Sequence, residues 1–106
     1  DNMQPSDAIA ARVREKADKL LKLSPRLTYM RFVIDAPHRH HHKGKIFQVK
    51  IMLGLPGRPE ISVASNDEDH AHEDVYVALR DAYEAARRRL VDSVERMHGE
   101  VKTHRS

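Results

Sequence analysis

The spacing of apolar residues changes twice along this chain, and that change constrains the fold more than any other feature. Over residues 9–21 apolar side chains recur every three or four positions, as on one face of an α-helix. Over residues 27–65 they alternate with polar residues in three stretches, as in strands with one buried face. Helical spacing returns over residues 75–97. The order α-β-β-β-α predicts a two-layer α+β domain with both helices packed on one face of the sheet.

Turn residues separate these stretches. Ser24-Pro25 ends the first helical stretch, Ala36-Pro37 ends the first strand, and Pro56-Gly57-Arg58-Pro59 predicts a tight turn. Gly99 is predicted to cap the last helix. The length fits one domain over residues 1–106. The predicted elements are a helix at 6–23, strands at 27–36, 45–55 and 60–65, a helix at 74–98 and a tail at 99–106.

Positive charge is concentrated in the first half of the chain. Residues 1–50 hold eleven Lys/Arg and five Asp/Glu, whereas residues 51–71 hold one and four. Residues 72–106 are balanced at seven each, so the net charge is +3. A basic half favours an anionic partner, most commonly a nucleic acid. The alternative is a surface that is charged only for solubility.

Positive side chains flank the apolar stripes of both predicted helices. Arg12, Lys16 and Lys19 form one stripe on the first helix. On the last helix one flank carries Arg80 and Arg87, and the opposite flank carries Arg89 and Arg96. Such side chains reach past a packed core to phosphate groups, and Arg binds a phosphate through two donors. We therefore predict an RNA-binding set, against the alternative that each member is an ordinary solvated residue. The set comprises Arg12, Lys16, Lys19, Arg39, Lys43, Arg80, Arg87, Arg89, Arg96 and Lys102.

The outermost face of the last helix is predicted to differ from its flanks. Glu84, Arg88 and Asp92 follow one another at i,i+4 spacing there, which favours ion pairs within the helix. We expect this face to be self-paired and solvated, and we place no RNA contact on it.

The segment 38–43, with the sequence HRHHHK, allows a metal-site interpretation. Neutral imidazoles bind zinc, copper or nickel. His40 and His42, helped by His70 or His72, are the candidate ligands. Adjacent histidines on a loop rarely form a rigid tetrahedral site, so a basic hairpin tip that touches RNA is the favoured interpretation, and we expect no metal or other cofactor. Elemental analysis of tag-free protein tests the metal alternative.

Few residues are suited to base stacking or to catalysis. Phe32 and Phe47 are predicted in the core, and Tyr76 and Tyr83 beside the packed face of the last helix. Tyr29, on the solvent face of the sheet, is the one good stacking candidate, with a structural role in the core or at the sheet edge as the alternative. The chain has no cysteine, no Gly-rich phosphate loop and no evident pairing of a nucleophile with a base. We therefore do not expect an enzyme.

Several segments resemble one protein family in the right order along the chain. The most telling is the Asp-Val-Tyr-Val-Ala-Leu sequence over residues 74–79, at the start of the last helix. The chain resembles the hibernation-promoting factor and ribosome-associated inhibitor A family, also called sigma-54 modulation or ribosomal subunit interface proteins. The segments that carry the resemblance are 2–9, 36–44, 72–83 and 99–104.

The resemblance implies a bacterial, cytoplasmic stress factor of the short form. Family members bind the small ribosomal subunit where messenger RNA and transfer RNA lie, block translation and preserve idle ribosomes. The family fold is β-α-β-β-β-α, similar to double-stranded-RNA-binding domains. Its first strand would precede Asn2, where this sequence has only Asp1. A three-stranded sheet would leave an exposed edge strand. Such an edge can pair with another chain, so self-association through it is a further prediction.

The sequence therefore allows three functions. The first is a ribosome-binding stress factor, and the second is a histidine-based metal protein. The third is a general double-stranded-RNA binder or a protein-interaction module. Sedimentation with purified small subunits, compared with binding to naked duplex RNA, separates the first from the third.

The histidine-rich loop predicts that RNA binding strengthens in mild acid. Histidines titrate near pH 6.5, so the loop gains positive charge as the pH falls. Ribosome affinity measured from mildly acidic to mildly basic pH at fixed salt tests this expectation. A flat response would exclude it.

Overall fold

The computed structural model describes residues 7–35, 46–65 and 70–103. Its element order confirms the predicted α-β-β-β-α arrangement and the α+β fold class. The predictions for Arg39, His40, His42 and Lys43 concern residues outside the described ranges. The elements are α1 (Asp7–Leu23), β1 (Tyr29–Asp35), β2 (Gln48–Gly54), β3 (Ile61–Ala64), a 3-10 turn (His70–Glu73) and α2 (Val75–Thr103).

The three strands form an antiparallel sheet in the order β1-β2-β3. Tyr29 lies opposite Gly54 in the β1–β2 pair, and Leu53 lies opposite Ile61 in the β2–β3 pair. Because β2 is central, its inward-facing side chains are the best covered of the sheet. Those side chains are Val49, Ile51 and Leu53, and all three are fully buried.

α2 covers β2 and β3 with a stripe of alanines. Ala78, Ala82 and Ala86 follow one another at i,i+4 spacing and are fully buried. Their small side chains let the helix backbone approach the sheet closely, while Leu79 and Leu90 fill the space on the flank of the stripe. No helix among the described residues is long and apolar enough to cross a membrane.

α1 packs against α2 and reaches the core through Ile9 and Leu20, both buried. On its other side it leaves an apolar groove of about 480 Å³, lined by residues that include Ala17 of α1 with Phe32 and Ile34 of β1. β1 is an edge strand of the described sheet. Pairing of another chain with this edge stays a prediction.

The last helix does not end at Gly99. α2 continues through Gly99 to Thr103, so the predicted cap is wrong, and so is a tail that begins at residue 99. A glycine inside a helix costs only about 1 kcal/mol relative to alanine, which does not stop the helix. Among the described glycines only Gly57 has a positive φ, of 69°, at the predicted Pro56–Pro59 turn.

The alanine stripe predicts that a larger side chain at its centre is destabilising. Ala82→Leu should lower the free energy of unfolding by about 1–3 kcal/mol, because the close approach of α2 to the sheet leaves no room for it. Urea denaturation measures the change. Ala11→Leu, on the exposed side of α1, is the control and should unfold like the parent protein. An unchanged midpoint for Ala82→Leu would contradict this account of the packing.

Candidate nucleic-acid interface

Two cations of α1 lie over aromatic rings of α2. The Arg12 guanidinium carbon is 5.9 Å from the centroid of the Tyr76 ring, and Lys16 Nζ is 4.8 Å from that of Tyr83. Each contact contributes about 0.5–1 kcal/mol when it is exposed. These contacts place Arg12 and Lys16 on the side of α1 that faces α2. Lys19, one turn beyond Lys16, continues the same stripe.

The facing side of α2 carries two further cations. Arg80 and Arg87 each follow one of the two tyrosines by four residues, so they lie on the same side of the helix. We call this surface the seam. It consists of Arg12, Lys16 and Lys19 of α1 and Tyr76, Arg80, Tyr83 and Arg87 of α2.

Arg89 and Arg96 are not part of the seam. Arg89 Nη1 donates a hydrogen bond of 3.4 Å to the Ser62 carbonyl, which places Arg89 beside β3. Arg96, two turns further along α2, lies on the same side. The ten predicted RNA contacts therefore do not form one surface. Lys102 belongs to α2, and its side chain lies outside the described part of the chain.

Ion pairs within the domain leave most of the positive charge of the seam available to bind an anion. Lys19 and Arg87 are exposed and pair with no other residue in the described ranges. Arg12 lies 3.8 Å from Glu15, with both side chains at least half exposed, and such pairs contribute little. Arg80 Nη2 lies 3.1 Å from Asp81 Oδ1 while its side chain stays 57% exposed.

The ion pairs predicted on the outer face of α2 are not formed. Arg88 is exposed and bonds neither Glu84 nor Asp92 within the described ranges. Exposed pairs gain little Coulomb energy in water and lose side-chain entropy, which explains why the spacing alone does not hold them together. The prediction of self-pairing is therefore wrong, although the mixture of signs on this face remains.

Asp81 instead holds a buried histidine. His72 is only 1% exposed, and its Nε2 lies 2.7 Å from Asp81 Oδ2. Because an ionised carboxylate only accepts hydrogen bonds, this nitrogen carries the proton. The His72 carbonyl also accepts a 2.9 Å bond from the Phe47 backbone N–H. His72 thus fastens the 3-10 turn to both α2 and the sheet.

These bonds leave His72 poorly placed as a metal ligand. The backbone of His70 is described in the 3-10 turn, but its side chain is not. Within the described ranges no three His, Asp or Glu side chains come together in a metal-binding group.

The hydrogen bond from His72 also lowers the pKa of Asp81, and Arg80 adds to this effect. A lowered carboxyl pKa stabilises the folded state above the ordinary value of 3.8, and this stabilisation is lost as the pH falls through the folded-state pKa. Acid therefore weakens the attachment of the 3-10 turn to α2.

Tyr29 is a poor partner for RNA, although it is 46% exposed. Its hydroxyl donates a 2.6 Å hydrogen bond to Glu60 Oε2, and this bond raises the pKa of the phenol. Its ring lies against Gly54, where a Cβ would overlap it. Tyr29 is also not the one exposed tyrosine, because Tyr76 is 40% exposed and lies under the Arg12 guanidinium. Stacking on Tyr29 stays a prediction.

The family is established by comparison with known proteins. A family model described as sigma 54 modulation protein / S30EA ribosomal protein matches residues 1–98. The chain belongs to this family. The resemblance inferred from the sequence is thereby confirmed, and the whole seam lies within the matched residues.

S30EA proteins are ribosome-associated factors and are not known as enzymes. A comparison with curated proteins gives no match. Association with ribosomes is thus shown at the level of the family.

The His72–Asp81 bond predicts an acid-sensitive stability that Asp81→Asn should reduce. At neutral pH the variant should lose about 1 kcal/mol of unfolding free energy, the scale of one hydrogen bond. As the pH falls below 3.8, the parent should lose more stability than the variant, because only the parent has Asp81 to protonate.

Urea denaturation across this pH range measures both effects. Asp92→Asn removes an exposed carboxylate of α2 that has no partner in the described ranges, so it should behave like the parent. Parallel pH profiles for all three proteins would contradict the role of the bond.

Proposed function

We propose that this chain binds ribosomal RNA of the small subunit through the seam. By resemblance, it occupies the channel used by messenger RNA and transfer RNA, inhibits translation and preserves idle ribosomes in the cytoplasm. Membership of a ribosome-associated family supports the ribosome as the partner. The observation that carries the choice of surface is the clustering of five cations and two tyrosines along one junction of two helices.

The charge pattern of the seam suits a phosphate backbone. The ridge of α2 that carries Arg80 and Arg87 continues through Val91, Val94 and His98, while the carboxylate of Glu84 lies beside it on the outer face. Arg80 and Arg87 are separated by two helical turns, about 10 Å along the axis. Cations spaced in this way contact successive phosphates and release their counterions, which gives strong and salt-dependent binding.

The remaining predicted cations fall into two groups. Arg39, Lys43 and Lys102 stay predicted contacts. Arg89 and Arg96 lie on the β3 side of α2 and would form a second contact region only if the RNA reached across the helix. The seam alone is therefore the primary surface in this proposal.

Reversing two unpaired charges of the seam should greatly weaken ribosome binding. The double variant Lys19→Glu/Arg87→Glu should bind small subunits at least ~10-fold more weakly at moderate salt, because two phosphate contacts become repulsive. Co-sedimentation with purified small subunits measures the loss. The slope of log affinity against log salt should also fall by about 1 for each phosphate contact removed.

The matched control is Arg88→Glu. Arg88 is the next residue along α2, is also exposed and lies on the mixed-charge outer face. It should retain most of the affinity and differ only through net charge. Circular dichroism verifies that each variant is folded. Co-sedimentation of the double variant at the level of the parent would refute the seam as the contact surface.

A further inference from the structure

We propose that Tyr76 is a stacking platform for an unpaired RNA base, with Arg12 released from the ring to bind the phosphate of the same nucleotide. This inference rests on the proposed RNA-binding function and specifies its ligand as a single-stranded segment. Its basis is the exposure of Tyr76, its setting among cations and the loose contact that Arg12 makes with it.

Tyr76 is presented rigidly at the start of α2. Its backbone N–H donates a 2.9 Å hydrogen bond to Asp74 Oδ1, which caps the helix and fixes the first turn. The side chain is 40% exposed, and within the described ranges its hydroxyl makes no hydrogen bond. The Tyr76 ring is therefore held at the surface, although its hydroxyl makes no hydrogen bond to the described residues that would explain this position.

The two cation–ring contacts of the seam differ in strength. Lys16 lies 4.8 Å from the centroid of Tyr83, a ring that also packs against the core. Arg12 lies 5.9 Å from the Tyr76 ring, close to the limit of about 6 Å for such contacts. Its other neighbour, Glu15, is 3.8 Å away and exposed. Arg12 is thus weakly held and readily displaced.

A base competes well for this ring. Stacking of a base on an aromatic side chain is typically stronger than an exposed cation–ring contact. When a base takes the ring, Arg12 becomes free for the phosphate, and Arg80 lies one helical turn further along the same ridge. Exchange of the two partners therefore adds a base contact and a phosphate contact in one step.

The setting of Tyr76 contrasts with that of Tyr29. Both rings are partly exposed, but Tyr29 is bonded to the carboxylate of Glu60, which repels a phosphate. Tyr29 also lies on the solvent face of the sheet, away from the helices. It is therefore a matched control: a tyrosine of similar exposure whose hydroxyl is bonded to a carboxylate.

A duplex offers no free base face to Tyr76, because its bases are stacked on one another. The seam should therefore prefer a single-stranded segment over a duplex of the same length. It should tolerate any base sequence, because every base has a face that stacks.

Binding of three RNA probes tests the proposal. The probes are a short single-stranded oligoadenylate, an abasic strand of equal length and charge, and a duplex. The parent protein should bind the oligoadenylate about ten-fold more tightly than the abasic strand. Tyr76→Leu should abolish that difference, Tyr76→Phe should keep it, and Tyr29→Leu should leave it unchanged.

Tyrosine fluorescence gives an independent measurement. The chain has three tyrosines and no tryptophan, so Tyr29→Phe/Tyr83→Phe leaves Tyr76 as the sole emitter. Adding oligoadenylate should quench its emission, whereas the abasic strand should not.

The outcomes separate this proposal from the one on which it rests. If the parent protein does not bind small subunits, the proposed function fails. If it binds them while Tyr76→Leu keeps the preference for oligoadenylate and Tyr76 emission is not quenched, stacking is refuted and phosphate binding stands.

Discussion

The burial of the central strand β2 beneath the alanine stripe of α2 determines where the other elements lie. Val49, Ile51 and Leu53 are fully covered because Ala78 and Ala82 hold the helix close to the sheet. The close contact between the alanine stripe and β2 fixes the rotation of α2 about its axis. α1 then packs against one side of α2, β3 lies below the other, and the outer face is left to solvent.

That rotation also sets the electrostatics of the surface. Cations stay out of the core, since a buried unpaired charge is strongly unfavourable, and several of them lie along the edges where α2 meets its neighbours. On the α1 side those edges bring Arg12 and Lys16 over two tyrosine rings. On the β3 side Arg89 bonds to the backbone of Ser62 instead. One helix therefore presents two cationic edges of different chemistry.

A buried polar group, His72, helps to hold the 3-10 turn that leads into α2. His72 links the 3-10 turn to Asp81 and, through its carbonyl, to the start of β2. Because Asp81 also bonds Arg80, the same carboxylate joins the buried histidine to a cation of the seam. The stability of the helix start and the position of Arg80 are thus coupled through one side chain.

The sequence alone predicted the fold class and the order of elements, because apolar period, turn residues and helix stripes are local properties. It indicated the family through the resemblance of several segments. It also indicated that Arg12, Lys16 and Lys19 share one side of α1. It also placed Arg89 and Arg96 on the opposite flank of α2 from Arg80 and Arg87, as the bond from Arg89 to Ser62 confirms for Arg89. It missed the exposure of Tyr76, the burial of His72 and the continuation of α2 past Gly99. Most of these depend on how α2 is rotated and placed against α1 and β3. Only packing between residues distant in the chain decides that placement, since the periodicity of one helix does not encode its neighbours.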